Sequence, residues 1–336
     1  MTDSERTCAG LNRRDFLAGA AAAVTAAAAG GALGQSASGG GHIPIIDSHI
    51  HLFDGTRPVF GKGYLGSRAY AARYRKSLPS MYAALARPQG IVGAIVVQSS
   101  FWVDENLWYL EQCRANPIMV GVCGTLDPAA ADFGQYVGHF HDDPLFRAIR
   151  VWHFYESEAG KVRLKPDQVA NLKLLAQADL ALDTANPSLD LMEANVLLAE
   201  AIPDLRIVMD HLPAFDPTPD DRPMYESLVK RMAACPNIFV KLTEAYHPRP
   251  DGMVVKDYAF LHDRLELLYQ AFGEDRVMFG SDYPNSYGVA AIAEEVSLAK
   301  RFFATKSRLA AEKFFWKNSA RVYKWIRRLP EQPRPA

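Results

Sequence analysis

The chain has 336 residues, 49% of them hydrophobic and 22% charged, enough for one large core or two small ones. Its 37 basic and 38 acidic side chains nearly cancel, and a net charge of −1 excludes the basic excess that nucleic-acid backbones demand. The four cysteines, Cys8, Cys113, Cys123 and Cys235, show no CxxC spacing. Zinc-ribbon and thioredoxin-type sites are therefore excluded, leaving inert buried thiols or a Cys113–Cys123 disulfide.

Residues 12–34, NRRDFLAGAAAAVTAAAAGGALG, differ from everything after them. The pair Arg13–Arg14 precedes Phe16–Leu17 and a weakly apolar, Ala-rich run, then small residues and a Gly-rich break at 39–41. This pattern resembles a twin-arginine export signal, with Asn12 where Ser or Thr is commoner. The run has no amphipathic stripe and is too short and too weakly apolar for a permanent membrane span. Residues 1–40 are thus read as signal and linker, cleaved near 34–38, and residues 41–330 as the working domain. The expected location is the periplasm, with the export machinery as a partner and no stable membrane insertion after cleavage. That route carries folded cargo, which gives weight to a preloaded cofactor.

From residue 43 short β-rich runs alternate with longer helical segments. Strands are expected at 43–53, 90–100, 118–127, 146–154, 180–187, 206–213, 238–246 and 277–284. Helices are expected at 104–115 behind Asp104, at 165–179 with Pro166 in the first turn, and at 188–201 behind Ser188. Eight strand–helix units predict an α/β fold, a closed (β/α)8 barrel of the TIM type. An open doubly wound sheet would more often carry a Gly-rich loop after its first strand, and none follows Phe53.

Strands buried on both faces read as near-continuous apolar runs, so polar residues inside them need a reason. Here they gather toward the C-terminal ends: His49, His51, Arg150, Asp183, His211, Lys241, Glu244 and Asp282. In a barrel that end is the catalytic face. His49 and His51 are two positions apart and share one side of their strand. Paired imidazoles suit a divalent metal, zinc above all, or can polarise a carbonyl as donors. Closure would set Asp282, in FGSDYP, beside them as a third metal ligand or as a base for water. His211, in VMDHLP, adds a third imidazole.

The segments IIDSHIHLFD, VMDHLP, NIFVKLTEAY, RVMFGSDYP and KNSARVYKW together resemble the second subgroup of the amidohydrolase-related superfamily, over about residues 43–326. Within it the chain is most similar to the lactone hydrolases, which include 2-pyrone-4,6-dicarboxylate lactonase and sugar-lactone hydrolases. The resemblance implies a distorted β/α barrel and places His49, His51, His211 and Asp282 on active-site positions. Many relatives carry a carboxylated Lys or a Glu on strand four and a His on strand five. This chain has Arg150 and the run LALDTANP there, so a two-metal centre is not expected, and the missing His favours a lactonase over a decarboxylase. Members of the branch work with one zinc or with no metal, and both options stay open here.

The implied reaction opens a lactone. His49, His51 and His211 hold the carbonyl oxygen, directly or through one Zn²⁺, while Asp282 takes a proton from water and returns it to the ring oxygen. Arg150 is the candidate clamp for a substrate carboxylate. Lys241, Trp152, Tyr155 and Tyr283 are further candidate substrate contacts, with Trp102, His153 and Tyr246 near the strand ends. Lys241 needs a partner, for which Glu244 and Asp282 are the candidates, since a lone buried ammonium is costly, and a purely structural role is equally open. Residues 55–80 hold Arg57, Lys62, Arg68, Arg73, Arg75 and Lys76 and no acid, a basic aromatic loop that would suit an anionic small molecule. A homo-oligomer is compatible with such barrels, although no stripe marks an interface. A metal-dependent decarboxylase and a non-catalytic periplasmic binding barrel are the competing functions.

Overall fold

The computed structural model describes residues 42–57, 75–248 and 252–335. The expected export signal and most of the basic loop lie outside these residues. Among the described residues, no helix is long and apolar enough to cross a membrane.

Eight parallel strands form one sheet in chain order. They are β1 (Ile45–His51), β2 (Ile91–Val97), β3 (Met119–Gly124) and β4 (Phe146–Arg150). Then come β5 (Ala181–Thr184), β6 (Ile207–Met209), β7 (Ile238–Lys241) and β8 (Val277–Met278). Each lies within its expected run, which stops short because the ladder ends where the chain turns out over the barrel mouth. The extreme case is β8, where two residues of the expected 277–284 remain in the ladder. Closure is made by loop backbone instead. The His51 amide donates to Tyr283 O, the Asp282 amide to His49 O and the Ser48 amide to Phe279 O. A bridge between Ile50 and Tyr283 completes the ring.

Among the described residues, seven helices connect successive strands, as βαβ units require, and three follow the last strand. Those flanking the middle of the chain are α1 (Pro79–Ala86), α2 (Glu105–Ala115), α3 (Phe133–His141), α4 (Pro166–Gln177) and α5 (Leu189–Ala201). The rest are α6 (Arg222–Ala234), α7 (Tyr258–Phe272), α8 (Ile292–Phe303), α9 (Arg308–Glu312) and α10 (Asn318–Tyr323). Ser188 caps α5 by accepting the Leu191 amide at 3.2 Å. Asp104 precedes α2 but its side chain makes no cap, because its backbone is already helical.

The core has two layers. Residues such as Ile45, Ile50, Val96, Leu182 and Met209 pack outward under the helices. Ile46, Ile95, Val97, Val120, Ala148, Ala181, Val208 and Met278 fill the barrel interior, over Val322, Tyr323 and Trp325. All three described cysteines are free and buried, and burial raises each thiol above its ordinary value. The Cys113–Cys123 disulfide is not formed, and the thiols are inert packing.

Candidate active site

The first strand changes faces midway. Ile46 points into the barrel while Ile45 and Ile50 point out. Strict alternation from Ile46 would send His49 outward. However, Asp47 pairs with Ala94 and Ile50 with Val96, so β1 spends one extra residue between them. This bulge reverses the parity and turns both His49 and His51 into the mouth. Asp47 pins the irregular turn, accepting from the His49 amide at 3.1 Å, the Ser281 amide at 2.9 Å and the Tyr82 hydroxyl at 2.8 Å.

At the other strand ends the backbone itself aims the side chains. His211, Glu244 and Asp282 have φ of 58°, 53° and 51°. The left-handed region is uncommon for residues with a Cβ and is concentrated at functional sites. Gly280 permits the approach of the last strand, since a Cβ there would lie 2.8 Å from His49 Cβ and 2.5 Å from Thr243 Cγ2.

The four expected catalytic residues meet. Asp282 Oδ1 lies 3.1 Å from His51 Nε2 and 3.3 Å from His49 Nε2, and the two Nε2 atoms are 3.2 Å apart. His211 packs on His49 with ring centroids 4.6 Å apart, and Thr243 Oγ1 orients it from 2.7 Å. His49, His211 and Asp282 each offer an atom within 4.8 Å of the others, so His211 joins the expected set of His49, His51 and Asp282 as a metal donor.

The protonation pattern suits a cation. His51 Nδ1 lies 3.0 Å from the Val97 carbonyl, which can only accept, so the ring hydrogen sits there and Nε2 is bare. That lone pair faces a carboxylate oxygen and a second imidazole nitrogen, an arrangement that a cation between them would satisfy. Burial, aided by the charge of Arg150, lowers His51 to about 3, and burial also holds His49 well below its ordinary value. Both rings are therefore neutral and free to ligate. Burial lifts the Asp282 carboxyl to about 6, with a Glu244 hydrogen bond and Arg150 opposing. Two or three imidazoles with one carboxylate are a donor set that fits Zn²⁺.

Lys241 differs from the expectation. It has no exposed surface to offer a substrate and pairs with neither Glu244 nor Asp282. Its ammonium lies beneath His49, 2.6 Å from Asp183 Oδ2, 3.0 Å from Asp210 Oδ1 and 3.3 Å from His49 Nδ1. Burial works against its charge, yet the two acids hold its pKa above the ordinary value. One ammonium cannot neutralise both acids. Asp210 also faces Arg150 at 3.9 Å and stays ionised, held low by Lys241 and His49 against the effect of burial. Asp183 is raised to about 6 by burial, with Lys241 opposing, and accepts the Tyr323 hydroxyl at 2.8 Å. The purely structural role weighed for Lys241 in the sequence thus fits its surroundings.

Arg150 leans over the cluster, its Nη1 3.5 Å from His49 Nε2 while Nη2 donates to the Gln98 carbonyl at 2.9 Å. Together with Trp152 and His153 it lines a cavity of about 490 Å³. Tyr155 opens a hairpin (Tyr155–Glu158 with Lys161–Leu164), bonds Ser188 and is not among the cavity-lining residues. Tyr283 is buried against Tyr82, so it packs the rim. Tyr246 lies beneath the Lys256 ammonium. Trp102 is exposed at a neighbouring depression.

Asp210, Asp47 and Tyr323 escaped sequence reasoning as parts of the site. Asp210 could have been found, because it is an acid in a buried run immediately before His211. Tyr323 could not, because its partner lies 140 positions away.

Comparison with known proteins agrees with the fold. A family model described as amidohydrolase matches residues 46–325. An L-fucono-1,5-lactonase of Burkholderia ambifaria is 28% identical over 246 residues, 72% of this chain and 80% of the relative. One of Burkholderia multivorans is 27% identical over 298 residues, 82% of this chain and 94% of the relative. An amidohydrolase structure from Burkholderia multivorans with bound zinc shares the fold, with a TM-score of 0.70 and 22% identity over 84% of this chain and 100% of that one.

Proposed function

We propose a lactonase: the chain belongs to the amidohydrolase family, and its barrel mouth holds the parts that ring-opening of a cyclic ester requires. The observation that carries this is the position of Asp282 Oδ1, within 3.1 and 3.3 Å of two neutral imidazole nitrogens. The names of the two Burkholderia lactonases support the substrate class.

Asp282 serves as the base. It removes a proton from water as the water oxygen attacks the lactone carbonyl carbon, then delivers that proton to the ring oxygen as the C–O bond breaks. The product is a hydroxy acid. His51, with a bare Nε2, would serve as a cation donor, while His49 and His211 can donate to the carbonyl oxygen and orient it. Neutral rings in a water-poor site do this without reorganising as charge develops. His49 and Asp282, with His51 or His211, would hold one divalent cation, and zinc in a fold neighbour supports that choice. When bound, such a cation polarises the carbonyl and acidifies water. Arg150 is one guanidinium away and binds an anionic or acceptor group of the substrate.

Export by the twin-arginine route to the periplasm remains our proposal from Arg13–Arg14 and the run after them. A pH-indicator assay over a panel of sugar-derived and carboxylated lactones tests the activity, with CO₂ release followed beside it. Acid production without CO₂ supports the lactonase. CO₂ release from aromatic acids, with no lactone opened, overturns it in favour of the decarboxylase.

A further inference from the structure

The cavity beside the cluster holds unused recognition groups. Phe101, Leu126, Val151 and Trp152 form an apolar side, Asp127 and Lys165 stand on a polar one, and Arg150 joins the cavity to the reactive centre. At about 490 Å³ it falls within the roughly 300–1,000 Å³ of small-molecule pockets. The Phe101 ring stands edge-on to Trp152 at 5.3 Å and is half exposed, and the Arg150 guanidinium lies 4.9 Å from the Trp152 ring centre.

Two donors in this wall are buried and have no acceptor among the described residues: Arg150 Nε–H and the indole N–H of Trp152. Neither group can accept, so only an acceptor atom satisfies them.

Building on the lactonase reading, we propose that this cavity is a specificity subsite for a flat apolar substituent of the lactone that carries its own acceptor oxygen. The apolar face lies on Phe101 and Trp152. The oxygen takes the hydrogens of Arg150 Nε and Trp152 Nε1.

Three probes test this: glucono-1,5-lactone, γ-phenyl-γ-butyrolactone and γ-(4-carboxyphenyl)-γ-butyrolactone. The expected order of kcat/KM rises along that series. Trp152→Phe keeps the ring and removes the donor. It should cut the preference for the carboxylated over the plain phenyl lactone by about tenfold, the worth of one charge-assisted hydrogen bond. Phe101→Ala, at a half-exposed position that tolerates truncation, should lower the preference of both aryl probes over gluconolactone. A preference for gluconolactone, or an aryl preference untouched by both variants, overturns the subsite and leaves the lactonase standing. If no probe is opened, the lactonase reading fails. The subsite is then judged by calorimetric binding of the ring-opened carboxyphenyl acid. Binding that weakens in Trp152→Phe supports it, and absence of binding overturns it.

Discussion

His51 and Asp282 stand 3.1 Å apart although 231 positions separate them, and the hydrogen that could bridge them is committed to Val97 on the far side of the ring. The pair therefore presents two acceptors to one point, and His49 Nε2 lies 3.2 Å from the His51 nitrogen. Protein prepared without chelator should carry one divalent ion per chain, measured by elemental analysis. His49→Ala should weaken retention at least 10- to 100-fold, the loss already caused by removing a mere supporting contact of a ligand. Equal affinity in the variant, read by competition with a chromophoric chelator, would remove His49 from the site.

Asp282→Asn keeps the shape and the accepting oxygen but cannot take a proton. Turnover should fall about 10²- to 10⁴-fold, while the thermal midpoint stays close to that of the parent. Undiminished turnover would assign the base elsewhere.

The pH profile follows from the same carboxyl. Burial lifts Asp282 to about 6, and only the ionised form is a base. In chelator-stripped protein with residual activity, kcat/KM should rise with pH through about 6. Loading a divalent ion should move that limb to lower pH, because a nearby cation favours the carboxylate. A limb that ignores the ion would separate Asp282 from the metal donors.

Asp47 couples stability to pH. Burial raises its folded pKa from 3.8 to about 6, with the Ser281 and Tyr82 hydrogen bonds opposing. The folded state thus holds a proton that the unfolded chain has released. Its contribution is complete below about pH 4 and is lost as pH climbs through about 6, a swing of about 3 kcal/mol. Asp47→Asn can still accept from the Ser281 and His49 amides and donate to Tyr82. Urea midpoints measured from pH 4 to 7 should be flatter in the variant.

Lys241→Met should destabilise the fold by about 3–5 kcal/mol, because Asp183 and Asp210 would remain buried without their shared cation. Denaturant unfolding at neutral pH measures this. A near-neutral result would show that the two acids take up protons at no net cost.

Gly280→Ala should push His49 aside, since the new methyl would sit 2.8 Å from His49 Cβ. A misplacement of about 1 Å can cost on the order of 10²-fold in rate. The fall should appear in kcat/KM with secondary structure intact by circular dichroism.

The strand rhythm was readable because barrel strands, buried on both faces, advertise themselves as short apolar runs. The same contrast exposed His49, His51, His211 and Asp282, polar residues where hydrocarbon was expected. Strand lengths were overread by up to six residues at β8, because the sequence shows apolar continuity but not where the ladder lets go. Lys241 reads equally well as a substrate contact and as a structural cation, and the structure places it inward. A cation in an apolar strand looks the same in sequence whether it waits for a ligand or is already paired from below.

By itself the sequence determined the barrel class, the two-residue spacing that keeps His49 and His51 on a common face, and the chemical kinds of side chain at the strand ends. Only the tertiary structure decided which face that was, through the bulge between Asp47 and Ile50. It also decided that Asp183 and Asp210 share Lys241 beneath His49. Periodicity is a property of neighbours along the chain. The bulge and the ion cluster are set by strands that touch only after the ring closes.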